Sequence, residues 1–245
     1  MYKFLKIPFD AGNPTGKKGT VKSPELILKK KGYTVKVNQS NAEESMNNIE
    51  AAALQELKEG HQLCSVGGDH SITYGLVKAA AKVHKELALI YFDAHLDCED
   101  SFIPPSHEDV IQAIVKQKLV KPQNIIIIGT RKFWKKEVDF IKKHKITVIY
   151  APVDRSDIEK NIKNFFKKHK HVYISVDIDV FDPSVAPDTG YPEQGGFTEE
   201  EFRVFTENMD FKRIIGFDLV EVAQSNVKSK KTVTLASHVI KFLLG

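Results

Sequence analysis

Four consecutive isoleucines, Ile125 to Ile128, admit few environments. Successive side chains of a β-strand point to opposite faces, so an unbroken β-branched run needs apolar cover on both sides. Other strand-like apolar runs occur at residues 3–7, 33–37, 63–66, 87–92, 147–150, 172–176 and 213–219. Between them lie segments of helical character, at 23–31, 42–59, 73–83, 108–117, 133–143, 158–168, 199–208 and 232–244. In the second of these, Met46, Ile49, Ala53, Leu54 and Leu57 share one helical face. Strands alternating with helices predict a three-layer α/β/α fold with a mostly parallel central sheet. A length of 245 residues, with no internal repeat or linker, predicts one domain over residues 1–245.

In folds of this kind ligands gather beyond the carboxyl ends of the strands, and there this chain concentrates its acids. Gly67-Gly68-Asp69-His70-Ser71 follows one apolar run, and Asp93-Ala94-His95-Leu96-Asp97 follows a second. Asp177-Ile178-Asp179, with Phe181-Asp182-Pro183 just beyond, follows a third. Alternation along an extended chain would point Asp93, His95 and Asp97 one way, and Asp177 and Asp179 likewise. Carboxylates at that density repel one another unless a cation sits among them. Carboxylate and imidazole donors without thiolate favour a hard or borderline divalent ion, manganese ahead of zinc. The number of donors suits two ions, with His70, Asp93, His95, Asp97, Asp177 and Asp179 as ligands. Spacing alone leaves open which of the six bridge. Asp69 reads as a helix cap or a support for the ligands, and Asp182, before Pro183, as a turn residue.

The three clusters, in this order, resemble the ureohydrolase family of arginase, agmatinase and formiminoglutamase. Residues 8–14, Ser23-Pro24, Ala186-Pro187-Asp188-Thr189-Gly190-Tyr191-Pro192 and Asp218-Leu219-Val220-Glu221-Val222 extend the resemblance over nearly the whole chain. It implies an arginase/deacetylase-like sheet and a binuclear manganese centre that splits a guanidino compound into urea and an amine. It assigns His70 and Asp97 to one Mn²⁺, His95 and Asp179 to the other, and Asp93 and Asp177 to both. Glu221 matches the family's guanidinium-binding acid, as expected for a group that pairs with a planar cation. His107 resembles the loop histidine that gives the leaving amine its proton, and reads as an exposed side chain of ordinary basicity. The resemblance of Ala186-Pro187-Asp188-Thr189-Gly190 also implies that Thr189 lies with the substrate. The family's proline shortly after the guanidinium-binding acid is replaced here by Ala223-Gln224-Ser225.

Substrate choice rests on departures from the arginase pattern. Gly129-Thr130-Arg131 is followed by Lys132-Phe133-Trp134 where arginases carry an acidic pair. Glu99 stands where arginases have an asparagine that helps hold the α-carboxylate. Glu99 and Asp100 would disfavour a carboxylate tail and favour an amine, so the expected substrate is agmatine or a similar guanidino-amine. Arginase or formiminoglutamase activity, a single-zinc deacetylase-type hydrolase and a non-catalytic metal-binding member are the alternatives.

Bulk properties narrow the partners. The net charge is +4, but the cations are mostly lysines on helix faces, with arginine only at 131, 155, 203 and 213, so nucleic-acid binding is not expected. No apolar run approaches a membrane span, and the N-terminus lacks a signal-peptide core. Two cysteines, Cys64 and Cys98, are too few for a disulfide framework. Cytoplasmic residence and a homo-oligomeric enzyme are the expectations.

Overall fold

In the computed structural model, which describes residues 1–13, 19–223 and 230–245, eight parallel strands form one sheet in the order β2-β1-β3-β8-β7-β4-β5-β6. The strands are β1 (Tyr2–Ile7), β2 (Tyr33–Thr34), β3 (Gln62–Gly67), β4 (Leu87–Phe92), β5 (Ile125–Thr130), β6 (Thr147–Tyr150), β7 (His171–Asp177) and β8 (Ile214–Val220). The helices are α1 (Ser23–Leu28), α2 (Ala42–Lys58), α3 (Ile72–Val83), α4 (Val110–Lys116), α5 (Lys135–His144), α6 (Arg155–Lys168), α7 (Glu199–Thr206) and α8 (Lys231–Leu244).

The isoleucine run behaves as its chemistry requires. Ile126 and Ile128 join an apolar layer with α1, α6, α7 and α8, whereas Ile125 and Ile127 join a second layer with α2, α3, α4 and α5. In β4 the same alternation sends Ala88, Ile90 and Phe92 to the first layer and Leu87, Leu89 and Tyr91 to the second. Burial on both faces is what makes these strands read as continuous apolar runs.

Element ends differ from the sequence expectation where side chains intervene. The second strand keeps only Tyr33–Thr34 of its expected five residues. The helix expected from residue 133 begins at Lys135, because Glu137 folds back to accept the Trp134 backbone N–H at 2.8 Å. The helix expected over 158–168 begins at Arg155, a turn earlier. Pro14, Gln224, Ser225 and the first part of the lysine run at 228–231 lie outside the described residues. Cys64 and Cys98 are buried free thiols. No helix among the described residues is long and apolar enough to cross a membrane.

Candidate metal centre

The acidic clusters meet because the four strands that carry the signature residues are neighbours. β3, β8, β7 and β4 stand side by side at the centre of the sheet, and each ends at the same edge. His70 follows β3, Glu221 follows β8, Asp177 ends β7, and Asp93 follows β4.

The clusters are not extended strand, however. Asp93 to Asp97 lies beyond the end of β4, with Asp97 in the left-handed region at φ 49°. Asp179 sits in a 3₁₀ turn, Ile178–Val180. The expected strand alternation therefore does not aim these ligands, and backbone N–H groups do so instead. Asp93 Oδ1 accepts from His95 N at 2.6 Å, Asp177 Oδ1 from Asp179 N at 2.8 Å, and Asp179 Oδ1 from Ala94 N at 3.1 Å. One oxygen of each carboxylate is pinned, and the other faces an imidazole. Asp93 Oδ2 and Asp177 Oδ2 lie 3.0 and 3.1 Å from His70 Nδ1, and Asp179 Oδ2 lies 3.0 Å from His95 Nδ1. Asp97 Oδ2 is 3.3 Å from His70 Nδ1 and accepts from Tyr91 OH at 2.5 Å.

Two ligand sets result, sharing one residue. Single donor atoms of His70, Asp93 and Asp97 lie within 4.8 Å of one another, as do those of Asp93, His95 and Asp179. Asp93 is the common member, and Asp177 reaches the first set through His70. All but His95 are buried.

Burial and mutual repulsion push the Asp97 and Asp177 carboxyls well above the usual range, and Asp179 upward as well. Burial acts on Asp93 too, but its close pairing with the His70 and His95 imidazoles outweighs it and holds Asp93 low. Both imidazoles are raised against the effect of burial, by Asp177 and Asp93 for His70 and by Asp179 and Asp93 for His95. Protons on the imidazoles, with the nearby Arg131 guanidinium, are the positive charge that the described residues bring to these carboxylates. Asp93 Oδ2 accepts no hydrogen bond among the described residues, although it is buried. An oxygen-rich donor set with an unsatisfied buried carboxylate oxygen fits hard divalent cations.

A cavity of about 210 Å³ opens beside these residues, walled by Glu221, His107, Thr189, Tyr191, Glu99, Glu108, Lys132, Phe133 and Trp134, among others. Glu221 is buried at φ 60°, a left-handed conformation that turns its side chain off the end of β8. Its N–H donates to Gly68 O at 2.8 Å, and its Oε1 accepts from His70 N at 2.9 Å. A side chain on Gly68 would stand 1.8 Å from Phe9 O, so only glycine permits this close packing of β3's end.

His107 is buried, not exposed as expected. Its N–H donates to Gly12 O at 3.0 Å, which folds the loop inward, and its ring meets Tyr191 at a centroid distance of 5.5 Å. Burial works against its charge, but the Glu221 carboxylate, 3.4 Å away, overcomes this and lifts the imidazole to about 9. His107 Nε2 and Thr189 Oγ1 are buried, without hydrogen-bond partners among the described residues, and both residues line the cavity.

The remaining assignments divide. Asp69 is buried and accepts from Ser71 N at 3.0 Å, and burial with the nearby Glu221 charge lifts it to about 7. Asp182 accepts from Ser184 N and Gly195 N, as a turn residue does. Glu99 lines the cavity, but Lys136 forms an ion pair with it, so it is not the free acid expected at the rim. Asp100 is exposed. Sequence reading passed over Tyr91, which stacks on His70 with centroids 4.4 Å apart, because it lies inside an apolar run. It also passed over Arg131, whose guanidinium donates to the carbonyls of Gly129, Asp179, Glu193 and Gln194 and so ties the Asp179 turn to β5.

The model of the Arginase family matches residues 4–245. Agmatinase from Neisseria meningitidis serogroup C (strain 053442) is 33% identical over 202 residues, covering 80% of this chain and 64% of that protein. The match thus spans slightly less than two thirds of that relative. Agmatinase from Bacillus anthracis is 32% identical over 211 residues, covering 83% of this chain and 70% of the relative. Among solved structures, arginase from Bacillus subtilis superposes with a TM-score of 0.89 at 21% identity, over 100% of this chain and 98% of that one. Formimidoylglutamase from Bacillus subtilis subsp. subtilis str. 168 gives 0.89 at 22%, over 99% and 85%. At these identities the structural likeness is one of fold.

Proposed function

The chain belongs to the arginase family, and on that premise we propose that it hydrolyses a small guanidino compound to urea and an amine at a centre holding two Mn²⁺. The observation that carries this reading is the convergence on one cavity of His70, His95, Asp97, Asp177 and Asp179, with Asp93 beside them, a buried Glu221 and a buried His107. His70 and Asp97 would hold one ion, His95 and Asp179 the other, and Asp93 and Asp177 both. When bound, such a pair supplies a water-derived nucleophile at neutral pH and stabilises developing negative charge.

The protein's own groups orient the substrate and manage its protons. Glu221 offers a buried carboxylate to the guanidinium, a pairing strengthened by exclusion of water. His107, charged at neutral pH beside Glu221, carries a proton on the unpartnered Nε2 at the cavity wall, where a leaving amine can take it. Thr189 Oγ1 adds a hydrogen-bonding hydroxyl to the same wall.

Agmatine is the proposed substrate in preference to arginine. Glu108 lines the cavity and would oppose an α-carboxylate, whereas Glu99 at the same wall is already met by Lys136. The agmatinases named above point the same way. Manganese-loaded protein assayed for urea from agmatine and arginine, and for formamide from formiminoglutamate, should turn over agmatine fastest. Faster turnover of either other compound, or none of the three, rejects the assignment.

A further inference from the structure

One rung of the sheet is polar where its neighbours are apolar. Ser65 on β3, Asp218 on β8, Ser175 on β7 and Tyr91 on β4 lie in register across the four central strands. All four are fully buried. None is a candidate metal ligand, and burying a carboxylate such as Asp218 in a sheet is costly unless its bonds are satisfied by a purpose-built partner.

We infer that this rung is a positioning device that fixes the tautomer and ring orientation of His70; the inference rests on the reading of His70 as a metal ligand. Among the hydrogen bonds of Asp218 and Ser175, the shortest, Ser175 to Asp218, sets their direction, with Thr73 Oγ1 also 3.2 Å from Ser175 Oγ. An ionised Asp218 only accepts, and its Oδ1 takes the Ser175 hydroxyl proton at 2.7 Å and the Thr73 hydroxyl proton at 3.1 Å. Having given its one proton to Asp218, Ser175 Oγ has only acceptor capacity left for His70 Nε2, 2.8 Å away. Nε2 therefore carries hydrogen, which leaves Nδ1 as the nitrogen that can offer a lone pair once it is free of a proton. Nδ1 is the atom that faces Asp93, Asp97 and Asp177.

Tyr91 completes the brace. Its ring lies parallel to the His70 imidazole, at an interplanar angle of 2°, and its hydroxyl donates to Asp97 Oδ2 and lies 3.1 Å from His70 Nδ1. The rung thus reaches His70 on its edge and on its face. A group that holds the far nitrogen of a ligating histidine typically changes metal affinity 10–100-fold when removed.

The test is Asp218→Asn, which keeps the shape but lets an amide N–H donate to Ser175. The Ser175 proton is then released towards Nε2, and the neutral ring shifts to hydrogen on Nδ1. Manganese affinity, measured by titration of the chelated protein, should fall roughly 10–100-fold. The His70 Nε2–H signal in ¹⁵N NMR of the magnesium-loaded protein should weaken or disappear. Thr73→Val removes a hydroxyl that touches Asp218 and Ser175 but not His70 and leaves the shorter Ser175–Asp218 bond in place, so it should cost less than about threefold in affinity, below the range expected for a brace. Should Asp218→Asn fail to fold, Ser175→Ala carries the test, with an expected loss of about tenfold. Unchanged affinity with the Nε2–H signal retained, in whichever of the two variants folds, overturns the inference, as does a Thr73→Val loss equal to that variant's. Wild-type protein that binds no manganese overturns the metal reading itself, a different outcome.

Discussion

His107 Nδ1 lies 3.4 Å from Glu221 Oε1, with both side chains buried at the end of the sheet. The two groups proposed to handle the guanidinium and the leaving amine therefore hold each other before any substrate arrives. A carboxylate already paired with an imidazolium is aimed, and an imidazolium so paired keeps its proton at neutral pH.

From this pair follows a pH effect with a definite sign. The folded value of His107, about 9, is above its ordinary value of 6.5, so pairing stabilises the protein fully below the ordinary value. That contribution is lost as pH rises through about 9. Glu221→Gln, compared with wild type in chelated protein, should be less stable by roughly 1–3 kcal/mol at pH 6, the scale of a broken buried ion pair. The difference should shrink above pH 9. Denaturant midpoints at the two pH values decide this, and a gap that widens with pH contradicts it.

The same substitution should lower turnover by about 10²–10³, the scale of a lost charge interaction in a transition state. Manganese content should stay at the wild-type level, because Glu221 is not among the proposed ligands. Loss of metal would make Glu221 a ligand or a structural residue.

Asp93 is common to both ligand sets. Asp93→Ala should therefore empty both positions, with bound manganese by elemental analysis reduced about tenfold or more, as expected when a ligand goes. Chelating the wild-type protein should lower its melting temperature by several degrees, since metal present at about 100 times Kd adds about 2.7 kcal/mol. A chain of this size shifts roughly 2–4 °C per kcal/mol. Full metal content in Asp93→Ala would rule out the bridging role.

Arg131 joins Gly129 of β5 to Asp179 of the turn and also donates to the carbonyls of Glu193 and Gln194. Lysine keeps the charge but cannot reproduce the planar fork. Arg131→Lys should destabilise the protein by roughly 1–3 kcal/mol and weaken manganese binding, because buried acceptors are left unpaired. Urea denaturation and metal titration would show both effects, and a variant equal to wild type in each would make Arg131 dispensable.

For the substrate tail, kcat/KM should be higher for agmatine than for arginine. Lys136 already meets the charge of Glu99, so Glu99→Gln with Asp100→Asn should narrow the ratio by only a few-fold, as for other exposed charges. An unchanged ratio would move tail recognition to other wall residues such as Glu108 or Trp134.

Much of this protein is legible in one dimension. The isoleucine run of β5 requires two covered faces, and the strand–helix alternation requires crossovers that keep strands parallel, so the layers follow from local pattern. Asp93, His95 and Asp97 were recognisable because a close-set group of charges beyond an apolar run is too costly without a cation. What the chain could not disclose is which strands are neighbours. β8, the last strand made, inserts between β3 and β7, and only that placement brings Glu221 to His70 and sets Asp218 beside Ser175. Strand order is a long-range choice among packings, so periodicity, a nearest-neighbour signal, carries no trace of it. The burial of His107 was hidden for the same reason: a loop histidine looks exposed until Gly12, at the other end of the sequence, accepts its backbone N–H and draws it in. Local chemistry named the candidate ligands; long-range packing chose which of their atoms face one another and which polar residues lie against them.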